Sequence, residues 1–149
     1  MASIKERLAS FKRKYPGTVA WRLSKHAKVV EEYLNEGEEV IYAFCAQKNN
    51  EWYDIFTTAA VVLTNKRLLV GQKRVVWGSF FNQITPDMYN DMEVYRGLMF
   101  GKVIIDTLKE ELVLSNISKK ALIEIETNVS EFMMREKKKY AKSGGLWKD

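Results

Sequence analysis

The sequence predicts an α+β domain, in which a seven-stranded bent antiparallel sheet, or partly open barrel, is closed by a C-terminal capping helix and preceded by two short N-terminal helices. Apolar residues recur every three or four positions before Asn35 and after Ser118, which is the period of an amphipathic helix. Between these two points the chain alternates as strands do and is interrupted by turn residues. The middle of the chain is therefore expected to form the sheet and its two ends the helices.

The clearest strand signal lies in residues 54–71, DIFTTAAVVLTNKRLLVG. A run rich in Thr, Val and Ile leads to Thr64, the polar pair Asn65-Lys66 follows, and an apolar run resumes from Arg67. This order is typical of a hairpin with a two-residue turn, in which Asn65 tolerates the left-handed conformation. Both faces of the first strand carry small or apolar side chains, so we expect it to be central in the sheet.

The other elements follow from the same two periods. A helix capped by Ser3 should end before Tyr15-Pro16-Gly17, and a second helix should run from about Thr18 to Leu34. These helices either cover an open face of the sheet or bind a partner. Further strands are predicted over Val40–Gln47, Val75–Ile84 with a bulge or close approach at Gly78, Asp91–Tyr95, Phe100–Leu108 and Glu111–Ser115, followed by a helix of about five or six turns from Ser118.

The segment Leu-Thr-Asn-Lys-Arg-Leu-Leu-Val at residues 63–70 resembles the hairpin between the second and third strands of the bacterial pleckstrin-homology-like (YokE-like) domain family, whose members often carry a Thr-Asn-x-Arg-Leu turn. The resemblance also includes the strand order and the final helix, and it implies a pleckstrin-homology fold. It divides the chain into a basic helical extension (1–36), the domain itself (37–140) and a flexible tail (141–149). It implies an architecture and leaves the biochemical role open.

Basic residues are concentrated at the ends of the chain. The net charge is +5 overall, with +7 over residues 1–28, −5 over 29–115 and +3 over 116–149. Such an excess suits nucleic acid, an anionic membrane or an acidic protein as partner, and it equally suits plain solubility. The candidate residues for an anionic partner are Lys5, Arg7, Lys12, Arg13 and Lys14 near the start, Arg135, Lys137, Lys138 and Lys139 near the end, and Lys73 and Arg74 after the third strand.

The inositol phosphate site of pleckstrin-homology domains does not carry over to this chain. That site uses basic residues of the first hairpin, where this sequence offers Lys48 alone, close to Glu51 and Asp54. Lys73 and Arg74, after the third strand, are candidates for an anion-binding site. Two adjacent charged residues in a turn are equally consistent with side chains that are simply solvated.

No feature of the sequence predicts an enzyme. The single His, His26, and the single Cys, Cys45, fall in different elements, and Cys45 lies in an apolar strand where a buried structural thiol is expected. We identify no catalytic, cofactor-binding or metal-binding residues, no cofactor and no small-molecule substrate. The start of the chain lacks the apolar core of a signal peptide, and the longest strictly apolar run is far shorter than the roughly 20 residues that span a bilayer, so a cytoplasmic location is expected.

Aromatic residues provide the remaining signal. Trp52, Tyr53 and Trp77 are candidates for a protein interface, as is Trp147, which follows Ser143-Gly144-Gly145. The predicted function is a non-catalytic protein-interaction or assembly module that binds itself or another protein. The alternatives are an adaptor on anionic membranes, with the stripe Ile4, Leu8 and Phe11 as an interfacial helix, and a nonspecific nucleic-acid binder that acts through the basic ends.

Overall fold

The computed structural model describes residues 3–48, 58–74 and 77–148, with side chains described as far as residue 139. Three helices and seven strands follow the predicted order. They are α1 (Ile4–Lys14), α2 (Leu23–Tyr33), β1 (Val40–Gln47), β2 (Thr58–Thr64), β3 (Leu68–Lys73), β4 (Ser79–Ile84), β5 (Tyr89–Arg96), β6 (Gly101–Thr107), β7 (Glu111–Ile117) and α3 (Leu122–Lys148), with short 3-10 turns at Pro86–Met88 and Lys119–Ala121.

The strands form one antiparallel sheet in the order β4-β3-β2-β1-β7-β6-β5. Its two halves, β1 to β4 and β5 to β7, meet where Gln47 of β1 pairs with Ser115 of β7. Strand β2 is buried along its whole described length, as expected for a central strand. Helix α3 packs against the 3-10 turn at Pro86–Met88 and against β5, so the expected bent sheet with a capping helix is confirmed.

The N-terminal helices belong to the same hydrophobic core as the sheet. Helix α1 packs on β1 and buries Ile4, Leu8 and Phe11, while α2 packs on β3. The cap at Ser3 is confirmed, because its hydroxyl oxygen accepts a hydrogen bond from the Glu6 amide at 3.1 Å. The apolar stripe of α1 is therefore occupied by the core, and the hypothesis that it lies in a membrane interface is wrong in that respect.

The turn at Asn65-Lys66 closes β2 onto β3 without left-handed backbone. The Thr64 amide donates to the Arg67 carbonyl at 2.9 Å, as the two-residue turn requires, but neither central residue has a positive φ. Instead, the Thr64 hydroxyl oxygen accepts from the amides of Lys66 and Arg67, each at 3.1 Å. The Thr64 side chain thus stabilises the turn, and the left-handed conformation expected at Asn65 is absent.

Helix α2 begins at Leu23, five residues later than the sequence predicted. The preceding residues bind the end of β7, since the Val19 amide donates to the Asn116 carbonyl at 2.9 Å and the Thr18 hydroxyl oxygen accepts from the Ser118 amide at 2.9 Å. A helix starting at Thr18 would lose both contacts. Arg22, with a φ of 57°, turns the chain into α2.

Two further boundaries differ from the predictions. Strand β4 begins at Ser79, and Gly78 is not a bulge within it, because its φ of 81° and the hydrogen bond from the Arg74 amide to its carbonyl place it in the turn before the strand. Helix α3 is longer than predicted, with helical backbone over residues 141–148, which the sequence analysis assigned to a tail. The division into extension, domain and tail stays a prediction. Residues 54–57, 75 and 76 of the predicted strands lie outside the described residues.

Candidate functional site

A groove of about 290 Å³ opens between α2 and the hairpin of β3 and β4. We call it the α2–β3 groove. The residues that line it are Lys25, Lys28, Val29, Glu32, Lys73 and Ser79. Lys25, Lys28 and Glu32 come from successive turns of α2, whereas Lys73 and Ser79 face each other as paired residues of β3 and β4. The groove therefore combines the helical extension with the sheet.

Close contacts fix the distance between the two walls of the α2–β3 groove. A Cβ atom added to Gly71 would lie only 2.5 Å from Cγ2 of Val30, so the helix rests directly on the backbone of β3. Further along α2, the ring of Tyr33 stacks on that of Phe81 with centroids 3.8 Å apart. The groove is therefore a preformed feature of the fold.

His26 joins α2 to the end of β3 beside the groove. Its Nδ1 accepts a hydrogen bond from the Lys73 amide at 2.8 Å, and its Nε2 lies 3.4 Å from the Thr58 hydroxyl. The side chain is fully buried, and this burial, reinforced by nearby Arg22, lowers the pKa of His26 to about 4. The neutral ring therefore positions the backbone that carries Lys73.

The α2–β3 groove is positively charged and its cations are unpaired. Lys25, Lys28 and Lys73 are exposed, and none of them forms an ion pair with an acidic side chain among the described residues, Glu32 included. Arg74 follows Lys73 and is also exposed. Three ammonium groups around a single groove attract an anionic group. Among the described residues they have no acidic partner and are exposed to solvent.

Trp77 lies in the turn that links β3 to β4, next to the α2–β3 groove. Its side chain is 81% exposed, which is unusual for the largest apolar side chain. The turn also carries Arg74, whose amide donates to the Gly78 carbonyl. Of the predicted interface and anion-binding residues, the structure thus brings together Lys73, Arg74 and Trp77.

A family model described as a bacterial PH domain matches residues 34–131. The chain belongs to this family. Among solved structures, this bacterial PH domain is similar to a pleckstrin homology domain from Shewanella amazonensis, with 18% identity, a TM-score of 0.53, and coverage of 74% of this chain and 96% of that chain. It is also similar to a DUF1696 family protein with a pleckstrin-homology domain from Shewanella loihica, with 16% identity, a TM-score of 0.48, and coverage of 76% and 99%. A search of curated proteins found no match.

The family match covers only one wall of the α2–β3 groove. Lys73 and Ser79 lie within residues 34–131, whereas Lys25, Lys28 and Glu32 precede them. Lys25 and Lys28 were not among the residues predicted for an anionic partner, although their spacing of three residues places them on one helix face. The sequence does not indicate which strand this face of α2 would contact. The narrower YokE-like assignment stays a prediction.

The basic residues of α1 and α3 are largely engaged by the bacterial PH domain itself. The Lys12 ammonium donates to the carbonyls of Pro16 and Thr18 at 2.8 and 2.5 Å, and Lys14 pairs with Glu124 at 2.5 Å. Other internal contacts join Arg7 to the Ile41 carbonyl, Lys137 to the Tyr89 carbonyl, and both Arg135 and Lys139 to Glu136. Lys5, Arg13 and Lys138 are exposed. Trp52 and Tyr53 lie outside the described residues, as does the side chain of Trp147.

A second polar cluster surrounds Glu124 at the junction of α1, β1 and α3. Its carboxylate accepts hydrogen bonds from Lys14, from the Tyr15 hydroxyl at 3.1 Å and from the Tyr42 hydroxyl at 2.9 Å. Burial raises the pKa of Glu124, but these bonds outweigh it and the net pKa lies below its usual value. The donors satisfy the carboxylate, so the cluster holds three elements together.

The positions of Cys45 and His26 do not support a catalytic or metal-binding role for either side chain. Cys45 is fully buried in β1, and burial raises the pKa of its thiol to about 12, so it is the structural thiol that the sequence predicted. Within residues 3–48, 58–74 and 77–148, no three His, Cys, Asp or Glu side chains come together as metal ligands would. No helix in that part of the chain combines the length and the apolar character needed to cross a bilayer.

Proposed function

We propose that this bacterial PH domain is a non-catalytic protein-interaction module that binds an acidic segment of another protein chain in the α2–β3 groove. The observation that carries the proposal is the set of three unpaired lysines, Lys25, Lys28 and Lys73, around one preformed groove. A carboxylate-rich segment provides the complementary charge, and such complementarity accelerates association and selects the partner.

Trp77 supplies the apolar part of the same surface. Tryptophan and arginine are enriched among the residues that dominate binding energy at interfaces, and Trp77 and Arg74 lie in one turn next to Lys73. Because the side chain of Trp77 is mostly exposed in the free domain, a partner that covers it gains apolar burial without displacing any core residue. Charge and apolar area thus adjoin on the same side of the fold.

The basic ends support the nucleic-acid alternative less well than the groove supports protein binding. Lys12 and Lys14 already donate to protein oxygens, as do Arg135 and Lys139. To neutralise phosphates, these side chains would first have to give up their hydrogen bonds or ion pairs with protein carbonyl and carboxylate oxygens. The three groove lysines can bind an anion without losing an ion pair to the described part of the protein.

The test is a titration of the isotopically labelled domain with a synthetic Glu-rich peptide, followed by NMR. We expect chemical-shift changes centred on Lys25, Lys28, Lys73, Ser79 and the indole of Trp77. The variant Lys25→Glu/Lys28→Glu/Lys73→Glu should weaken binding by roughly tenfold or more. The matched control Lys5→Glu/Lys66→Glu/Lys109→Glu makes the same change in net charge at exposed lysines outside the groove and should retain binding.

Two results would overturn the proposal. One is equal weakening by the groove variant and its control, which would show a general charge effect. The other is saturation of the groove by inorganic phosphate while the peptide leaves the spectrum unchanged, which would indicate a small-anion site. Light scattering on the free domain decides whether the acidic chain is a second copy, because self-association through the groove must disappear in the groove variant.

A further inference from the structure

A second surface, remote in sequence from the groove, carries an unusual turn. The hairpin between β5 and β6 is closed by a hydrogen bond from the Gly97 amide to the Phe100 carbonyl at 2.9 Å, with Leu98 and Met99 as its two central residues. Leu98 is 93% exposed and Met99 is 76% exposed. Such positions normally hold Gly, Asn, Asp or Ser, as Asn65 does in the hairpin of β2 and β3.

The shape of the β5–β6 turn holds these two side chains outward. A Cβ atom on Gly97 would lie 2.8 Å from the Phe100 carbonyl oxygen, so the glycine permits the tight closure. The Lys119 ammonium donates to the Leu98 carbonyl at 2.9 Å and ties the turn to the start of α3. The turn is therefore a fixed projection, and the side chains of its apolar tip are mostly exposed to solvent.

Four basic residues lie on the elements next to this apolar tip. Arg96 and Lys102 flank the turn in sequence, and Lys119 and Lys120 lie in the 3-10 turn that Lys119 joins to it. Of the acidic residues in the adjoining strands, Asp91, Asp106 and Glu111 lie opposite one another at the strand ends remote from this turn, and Glu93 accepts from the Tyr95 hydroxyl. Glu124 of α3 accepts from Lys14 and two tyrosines. An apolar tip with basic residues on its flanking strands and on the adjoining 3-10 turn complements a surface with apolar chains beneath anionic groups.

We infer that the β5–β6 turn inserts Leu98 and Met99 into the interface of an anionic membrane, while Arg96, Lys102, Lys119 and Lys120 contact lipid headgroups. Two inserted side chains and about four cations produce reversible binding, since each cation near an anionic surface contributes about fivefold in affinity. This binding goes beyond the proposed protein contact and uses other residues, so either can fail without the other.

The chain contains a matched control for the apolar tip. Leu108 is 69% exposed at the same position of the hairpin between β6 and β7, which the Thr107 amide closes onto the Glu110 carbonyl at 3.0 Å. Lys109 is the other central residue of that turn, and Glu110 and Glu111 follow it, so the local net charge is negative. Leu108 therefore reproduces the exposure, residue type and turn form of Leu98 in an acidic setting.

The experiment measures co-sedimentation of the full chain with vesicles of phosphatidylglycerol and phosphatidylcholine, and with vesicles of phosphatidylcholine alone. We expect binding to the anionic vesicles only. The change Leu98→Glu/Met99→Glu should lower partitioning by roughly tenfold or more, whereas Leu108→Glu should leave it unchanged. Arg96→Gln/Lys120→Gln removes two cations, keeps the Lys119 contact that holds the apolar tip, and should lower partitioning by up to about 25-fold.

A gain-of-signal measurement guards against misfolded variants. In Leu98→Trp the added tryptophan emission should shift to shorter wavelength when anionic vesicles are added, and in Leu108→Trp it should not. Absence of binding to anionic vesicles at low salt would overturn the inference. So would equal losses from the Leu98 and Leu108 changes, or vesicle binding that depends on the α2–β3 groove lysines and is indifferent to Leu98 and Met99.

Discussion

The backbone amide of Lys73 donates a hydrogen bond to Nδ1 of His26 at 2.8 Å, which connects the end of β3 to the first turn of α2. An imidazolium carries a proton on both ring nitrogens, so Nδ1 cannot accept this bond once His26 is protonated. The contact therefore makes the wall of the α2–β3 groove sensitive to acid.

The first prediction follows from this contact. Because the pKa of His26 is about 4 in the folded protein and about 6.5 when unfolded, its contribution to stability is fully present above pH 6.5 and is lost as the pH falls toward 4. Urea denaturation at pH 7 and pH 5 should show a loss of about 1 to 2 kcal/mol from this group. In His26→Asn the acceptor is retained without the titration, so the loss between the two pH values should be smaller by that amount. An identical pH dependence in both proteins would contradict the prediction.

A buried ion pair provides the second prediction. Arg67 donates to Glu38 through Nε and a terminal nitrogen, both at 3.0 Å, and Glu38 also accepts from the Thr64 hydroxyl at 2.6 Å. Burial opposes ionisation, but these donors and the Asn35 amide lower the pKa of Glu38 to about 2. Glu38→Ala leaves the guanidinium buried without its carboxylate and should reduce the free energy of unfolding by about 3 kcal/mol.

The adjacent residue serves as the control for Glu38. Glu39 is exposed, and only its backbone forms hydrogen bonds, with Asn65. Glu39→Ala should change the free energy of unfolding by no more than about 0.5 kcal/mol. If chemical denaturation gives similar values for the two variants, the pair between Arg67 and Glu38 does not stabilise the fold as its geometry indicates.

The third prediction concerns Gly71, where α2 rests on β3. Gly71→Ala places a methyl group against Val30 and should destabilise the domain by about 1 to 3 kcal/mol. Adding Val30→Ala makes room for that methyl group, so the double variant should be more stable than the sum of the single changes predicts. Gly17→Ala is the control, since its Cβ would meet only Ser118 at an ordinary 3.8 Å. Additive effects in the double-mutant cycle would disprove the close approach.

A fourth prediction distinguishes a structural role of the basic end of α1 from a role in binding nucleic acid. Lys12→Met removes the donor to the Pro16 and Thr18 carbonyls and should lower the thermal midpoint, while Arg13→Met, at an exposed position, should not. In fluorescence anisotropy with labelled duplex DNA, the affinity of either variant should show no steep dependence on salt concentration. A slope of several times −0.9 in log affinity against log salt, reduced by Arg13→Met, would restore the nucleic-acid hypothesis.

The sequence was most informative where burial alone decides structure. Strand β1 has the predicted bounds, and the unbroken apolar character of β2 identified it as central because a strand covered on both faces has no polar side. The start of α2 was missed because Thr18 and Val19 bind the distant end of β7, about a hundred residues away. The groove was missed for a similar reason, since it depends on how α2 docks against β3. Trp77 was predicted as an interface candidate from its residue type alone, and its exposure is known only from the structure.

The contact between Lys14 and Glu124 spans 110 residues and has a consequence for biosynthesis. A ribosome adds about 5–20 residues per second, so roughly 6 to 22 s separate the synthesis of these two side chains. During that interval α1 has no access to α3, and its apolar face of Ile4, Leu8 and Phe11 has no complete core to enter. We expect this apolar face to stay open to chaperone binding until the C-terminal helix has left the ribosomal tunnel.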